Sequence, residues 1–454
     1  MKKFKLIFII LFILIILAPL MAFNIKPNSI SQIDNRALTE NPFTLEGDLT
    51  QNIESYVNDR LGFRDEMITS YTVLNDRLFN KMVHPSYTYG KDGYVFGGGV
   101  STSNDFGDFH MIFADMIEKV QHYCQERNIP FLFVFNPAKP AIYQDKIAEG
   151  VNYNRQWVDL FFKELERRNI DYLDNTGTMV ELRDKGIQGF NIKYDANHWN
   201  DIGAFYGSNA ILEKLKEKNE NIHINKLDEF IQTKTLEKSL LVSKFPIDET
   251  VLKLKLKQKP KSLYEDYFSE LKINPSYPGF GYFINESKNV ENTPKALVFQ
   301  GSYMNKLGYK YFINAFNEYI HVHDYQNIIE FPYYFNIFQP ECVIFEVAEY
   351  TVIENYFDLE RMKAIDFNPS LDNLSEEDYD ELDLEDEDIK VDKGKTLTKI
   401  NLNTDETYSY IWLSKGGIFD MYKVEGGYET TMETKKFESI KDSIKIYVKS
   451  AKSN

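Results

Sequence analysis

Asp195-Ala196-Asn197-His198-Trp199 and, about a hundred residues later, Gln300-Gly301-Ser302 carry the residue types of an acyl-transfer site. A carboxylate three residues before a histidine can hold the imidazole tautomer and stabilise its positive charge. A serine at the exit of an apolar strand can be the nucleophile that the imidazole deprotonates. The roles this predicts are Ser302 as the acylated nucleophile, His198 as general base and then general acid, and Asp195 as its orienting partner. Each residue also has a commonplace explanation. A serine after a glycine often ends a strand, and His198 can cap the helix that follows it.

The elements that must position these residues alternate along the chain. His110 to Arg127 is helix-like, and Ile129 to Phe135 is a continuous apolar run, as in a strand buried on both faces. Asn154 to Arg168 reads as helix, Ile170 to Leu173 as strand and Ile202 to Lys216 as an amphipathic helix. Lys295 to Phe299 is a strand, Tyr309 to Tyr319 a helix, His321 to His323 a short strand and Pro340 to Glu349 another strand. This alternation predicts an α/β fold with a parallel sheet. In such a sheet ligands bind beyond the C-terminal ends of the strands. Ser302, Asn136 and Glu349 all follow strand ends, which places them on one edge.

Residues 1–23 read as a membrane segment. Lys2, Lys3 and Lys5 precede an apolar run from Leu6 to Phe23, and Ala18 to Phe23 is a poor cleavage site. The expectation is an uncleaved signal anchor with the rest of the chain outside the cytoplasm. Residues 24–374 form the main domain, with a Lys-rich, hairpin-rich insertion at about 220–290. An acidic linker at 375–394 follows, then a small β module at 395–454. The net charge of −17 argues against nucleic acid as a partner. Cys124 and Cys342, the two cysteines, read as core residues. His321 and His323 alternate on a strand without the further ligands a metal site needs, so neither metal nor cofactor is expected.

Several motifs in order resemble the alginate O-acetyltransferase relatives within the SGNH hydrolase superfamily. They are Asn35-Arg36-Ala37-Leu38, Phe63-Arg64-Asp65, Gly90 to Phe96, Asn136-Pro137-Ala138-Lys139, Asp195 to Trp199 and Gly301-Ser302. The resemblance runs from about Asn35 to Tyr356. It implies a flavodoxin-like parallel sheet in circularly permuted order, since Asp195 and His198 precede Ser302. It also implies a Ser–His–Asp triad, a polysaccharide substrate and an acetyl donor in the form of a separate membrane-bound O-acyltransferase. Two departures stand out. The relatives usually carry Gly-Asp-Ser where this chain has Gln300-Gly301-Ser302, and those with acetyltransferase activity commonly carry Asp-x-His-Trp where Asp195 stands one residue further from His198.

With that resemblance, the backbone N–H of Ser302 is expected to help form an oxyanion hole with Asn136 as a side-chain donor. Lys139, Tyr325 and Glu349 are expected to line the pocket, and Trp199 to pack the loop. The expected function is an extracytoplasmic, membrane-anchored O-acetyltransferase acting on a cell-envelope or secreted polysaccharide. Two alternatives stay open: an acetyl esterase using the same triad with water as acceptor, and a non-catalytic glycan-binding component of a polysaccharide assembly complex, to which the aromatic content would contribute by sugar stacking.

Overall fold

A computed structural model describes the chain except residues 1, 27–28, 32–35, 46, 80, 84–85, 102–104, 242–244, 274–278, 324, 383–387, 414–418 and 451–454. Asn35 of the first motif lies outside the described residues. The centre of the molecule is a seven-stranded sheet. Its strands in chain order are β1 (Phe131–Asn136), β2 (Tyr172–Asp174), β3 (Lys261–Ser262), β4 (Gly279–Ile284), β5 (Ala296–Phe299), β6 (Glu318–His323) and β7 (Cys342–Ala348). Across the sheet the order is β2-β1-β7-β5-β6-β4-β3. The run from β2 to β6 is parallel, and β4 and β3 extend it antiparallel beside β6.

Every residue of β1, β5 and β7 is buried, which is why these segments are apolar but for Asn136 and Glu346 instead of alternating. One face, carrying Phe133, Phe299 and Phe345, packs on helices α1 (Asp108–Glu126), α2 (Gln156–Arg167) and α5 (Phe331–Phe338). The other, carrying Val134, Val298 and Ile344, packs on α3 (Asp201–Lys216) and α4 (Tyr309–Ala315). This is the α/β architecture the alternation predicts. Cys124 and Cys342 are buried and unpaired.

The expected insertion divides into two parts. Phe230–Ser239 and Pro246–Leu256 form a long antiparallel hairpin. Lys261–Ser262 and Gly279–Ile284, by contrast, join the main sheet at its edge, because Phe280 and Tyr282 bury their rings in the sheet's core. Beyond the sheet, the C-terminal strands form two four-stranded sheets around Ile400, Leu413, Phe419 and Met432. The expected acidic linker supplies an edge strand to each, Asp380–Glu381 and Ile389–Lys393. The C-terminal sheets dock on the main sheet's helices. Asp420 pairs with Arg127 at 3.3 Å, and the Asn336 amide donates to the Asp420 carbonyl at 2.8 Å and Thr430 Oγ1 at 3.0 Å. At the N-terminus, Lys2–Met21 is one helix, and its Phe4–Met21 stretch is long and apolar enough to cross a membrane.

Candidate active site

The histidine side of the site is a loop held from three directions. Phe190 and Trp199 form an isolated antiparallel bridge that closes it. Glu249, on the second strand of the long hairpin, accepts the backbone N–H groups of Ile192, Lys193 and Tyr194 at 2.7, 2.9 and 2.6 Å. Lys139 donates to the carbonyls of Val95 and Ile192 at 2.6 and 2.8 Å, tying the Tyr87–Gly97 hairpin to the same loop. The Lys139 side chain is fully buried, and burial pulls its ammonium down to about 7. It braces the loop and does not line a pocket. Trp199 is also fully buried, donates its indole N–H to the Tyr303 carbonyl at 3.1 Å and packs inside the loop.

Within this loop Asp195 adopts a left-handed backbone with φ of 53°, a conformation that Asp tolerates better than most residues. The turn brings its Oδ1 to 2.7 Å from His198 Nδ1. Its other oxygen, Oδ2, lies 2.6 Å from Lys306 Nζ. Burial alone would raise the Asp195 carboxyl. The His198 imidazole and the Lys306 ammonium outweigh it and hold the group well below the usual carboxylate range.

The serine side is the exit of β5. The chain leaves Phe299 and enters a helical segment at Ser302, which passes through a π-helical turn at Met304–Gly308 before α4 begins. That turn carries Lys306 across to Asp195. Turns of this type are frequent at functional sites. Tyr303, fully buried, donates its hydroxyl to the carbonyls of Pro137 and Asn197 at 2.9 and 2.7 Å and so locks the serine turn to the histidine loop.

Ser302 and His198 do not touch directly. Tyr350 lies between them, its hydroxyl 2.7 Å from Ser302 Oγ and 3.2 Å from His198 Nε2. The Tyr325 hydroxyl lies beside Ser302, close enough for the serine to act on its ionisation. One arrangement of protons satisfies all of these contacts. Ser302 donates to Tyr350, Tyr350 to His198 Nε2 and His198 Nδ1 to Asp195. Burial raises both tyrosines above the ordinary phenol value, keeping them protonated donors.

Asn136 and Glu349 stand one step back. The Asn136 amide donates to Glu346 Oε1 at 2.6 Å and its carbonyl accepts from Asn175 at 2.8 Å, so its donor is already committed to a buried carboxylate. Glu349 accepts from Arg155 at 3.0 Å, Tyr153 at 3.2 Å and the Ala138 N–H at 2.9 Å, anchoring the turn that presents Tyr350. The expected residues that meet at one point are Ser302, His198, Asp195 and Tyr325; Asn136, Lys139, Glu349 and Trp199 support them. Sequence reasoning missed Tyr350, Lys306, Tyr303 and Glu346. Tyr350 was within reach of the strand-exit argument, since it follows Glu349. Lys306 carried a weaker signal, four residues past Ser302 on the same helical segment.

Residues 88–263 match the family model of the SGNH hydrolase-like domain of the acetyltransferase AlgX. Over that span the chain resembles SGNH hydrolase-like domains, and the span holds the Gly90–Phe96, Asn136–Lys139 and Asp195–Trp199 motifs. The span includes Asp195 and His198 and ends before Ser302. Comparison with curated proteins finds no match. Among solved structures, PatB1 of Bacillus cereus is similar at 16% identity and TM-score 0.45, over 57% of this chain and 95% of that one. The O-acetyltransferase domain of Pseudomonas putida AlgJ is similar at 15% identity and TM-score 0.43, over 62% and 99%. AlgX of Pseudomonas aeruginosa is similar at 11% identity and TM-score 0.32, over 81% and 88%.

Proposed function

We propose that this chain is an extracytoplasmic O-acetyltransferase that acetylates a cell-envelope or secreted polysaccharide through an acyl-Ser302 intermediate. The observation that carries this reading is the unbroken hydrogen-bonded line from Ser302 through Tyr350 and His198 to Asp195. The acetyltransferase family match over residues 88–263 supports it.

In the first half-reaction Ser302 Oγ attacks the carbonyl carbon of the acetyl donor. Its proton passes to Tyr350 Oη as the Tyr350 proton passes to His198 Nε2. Asp195 stabilises the imidazolium. The oxyanion is met by the Ser302 N–H and by the Tyr325 hydroxyl, the latter in the side-chain role expected of Asn136. When the intermediate collapses, the donor's leaving group departs with the proton from His198. In the second half-reaction a sugar hydroxyl attacks the acyl carbon, its proton is taken by His198, and the Ser302 Oγ–acyl bond breaks as the proton returns to Ser302. The Lys2–Met21 helix serves as a single-pass anchor, and a membrane-bound O-acyltransferase delivers the acetyl group.

The test is incubation with 4-nitrophenyl acetate, with and without candidate polysaccharides, followed by mass analysis. Acetyl on Ser302 that transfers to glycan supports the reading. Acetyl released only as free acetate whatever glycan is present makes the chain an esterase. Full turnover in Ser302→Ala removes the mechanism, and a glycan that binds without any acylation of the wild type makes the chain a binding component.

A further inference from the structure

Glu346 lies in β7 and is 1% exposed. Its Oε2 accepts the Gly301 N–H at 2.7 Å and its Oε1 accepts the Asn136 amide at 2.6 Å, and the Met304 N–H lies near enough to favour its ionised form. Gly301 and Met304 bracket Ser302. Both N–H groups lie at the start of the helical segment that begins at Ser302, where a negative charge is stabilised by the helix dipole. Among the described residues no Lys, Arg or His pairs with this carboxylate. The titratable side chains that face it are Tyr303, Tyr319 and Tyr325, all buried. Burying a carboxylate without a cation is costly, and its donors offset that cost only while it is ionised and accepting on both oxygens.

Gly301 makes room for this arrangement. A Cβ at 301 would stand 3.2 Å from Glu346 Oε2, closer than ordinary packing allows. The glycine before the serine and the glutamate on the neighbouring strand therefore form one unit. This unit fastens the serine turn to the Asn136 loop from beneath.

We infer that Glu346 is a positioning residue for the nucleophile: ionised, it caps the helical segment from β7, fixes the backbone on both sides of Ser302, and so sets the line from Ser302 to Tyr350. The inference rests on the reading of Ser302 as nucleophile. It also makes alignment depend on pH near neutrality, because burial raises the Glu346 carboxyl to about 7. Protonation replaces one accepting oxygen with a donor that faces donors.

Two measurements on the full chain test this. With 4-nitrophenyl acetate, Glu346→Gln should lower kcat by on the order of tenfold to a hundredfold with KM little changed. It should also remove one ionisation, that of Glu346, from the acidic limb of log kcat/KM against pH. Gly301→Ala should give a smaller loss by crowding the same carboxylate. Hydrogen exchange is the second measurement and does not need activity: the Gly301 and Met304 amides should exchange about tenfold or more faster in Glu346→Gln while β1 and β7 stay protected. Wild-type kcat, limb slope and amide protection in Glu346→Gln would overturn the inference. An unacetylated Ser302 in wild type with exposed amides in the variant would instead overturn the catalytic reading and leave the cap in place.

Discussion

Asp195 and Glu346 are both buried carboxylates in one site, and their surroundings push them in opposite directions. Asp195 has two partners, the His198 ring and the Lys306 ammonium, and is held well below its ordinary value. Glu346 has only N–H dipoles and is raised to about 7. The difference teaches that the histidine side is built around a permanent charge, whereas the serine side is built around one that responds to pH. Cations fix a carboxylate's charge; backbone and amide donors orient it but leave burial to dominate. Tyr350 joins the two halves, and each of the following substitutions cuts or loosens one of them.

Ser302→Ala should have the largest effect, a loss of roughly 10⁴-fold or more in kcat/KM with no acyl-enzyme in the mass spectrum. Asp195→Asn should follow, roughly 10³- to 10⁴-fold in kcat, because an amide can favour the wrong imidazole tautomer. Tyr350→Phe removes the hydroxyl between the halves. It should cost about 10²-fold in kcat and change the solvent isotope effect on acylation, since one of two proton hops is lost. A Tyr350→Phe enzyme at wild-type rate would mean that Ser302 reaches His198 directly once Tyr350 is out of the way. Lys306→Met should cost less than about tenfold, since His198 still pairs with Asp195. It should also raise the pH at which Asp195 is protonated, which NMR titration of its carboxyl carbon would report.

The last effect is on stability. The native Glu346 value lies above its ordinary value of 4.5, so between about pH 4.5 and pH 7 the native chain keeps a proton that the unfolded chain has released. Its favourable contribution is therefore full at the acid end of that window and is lost as pH rises through about 7, with about 3 kcal/mol as an upper bound. Asp195 has the reverse sign: its contribution is present at neutral pH and is lost only as pH falls through its low native value. Denaturant melts of wild type and Glu346→Gln at pH 5 and pH 8 should show the pH-dependent loss only in the wild type.

The sequence reveals the histidine side more readily than the serine side, for physical reasons. Asp195 and His198 are three residues apart, so local geometry alone lets them meet. The apolar runs in Phe131–Asn136 and Cys342–Ala348 are equally legible, because a strand buried on both faces is apolar at nearly every position. Tyr350 and Glu346 reach Ser302 only through the pairing of β7 with β5, a contact 45 or more residues away that no local pattern encodes. Glu346 interrupts an apolar strand, and such a charge can be read from sequence as misplaced but not as a cap for another strand's exit. Lys139 illustrates the converse error. A lysine at a strand exit suggests a pocket, and only the fold shows that the Val95 and Ile192 carbonyls have claimed it.

The central claim is that Ser302 is acylated by way of Tyr350 and His198. Rapid-quench mass analysis after mixing with 4-nitrophenyl acetate tests it most directly. The account predicts one acetyl group per chain, confined to the peptide containing Ser302, slowed in Tyr350→Phe, absent in Ser302→Ala and depleted when the acceptor polysaccharide is added. An acetyl group that persists in Ser302→Ala at the wild-type rate, or that maps to another side chain, would contradict it.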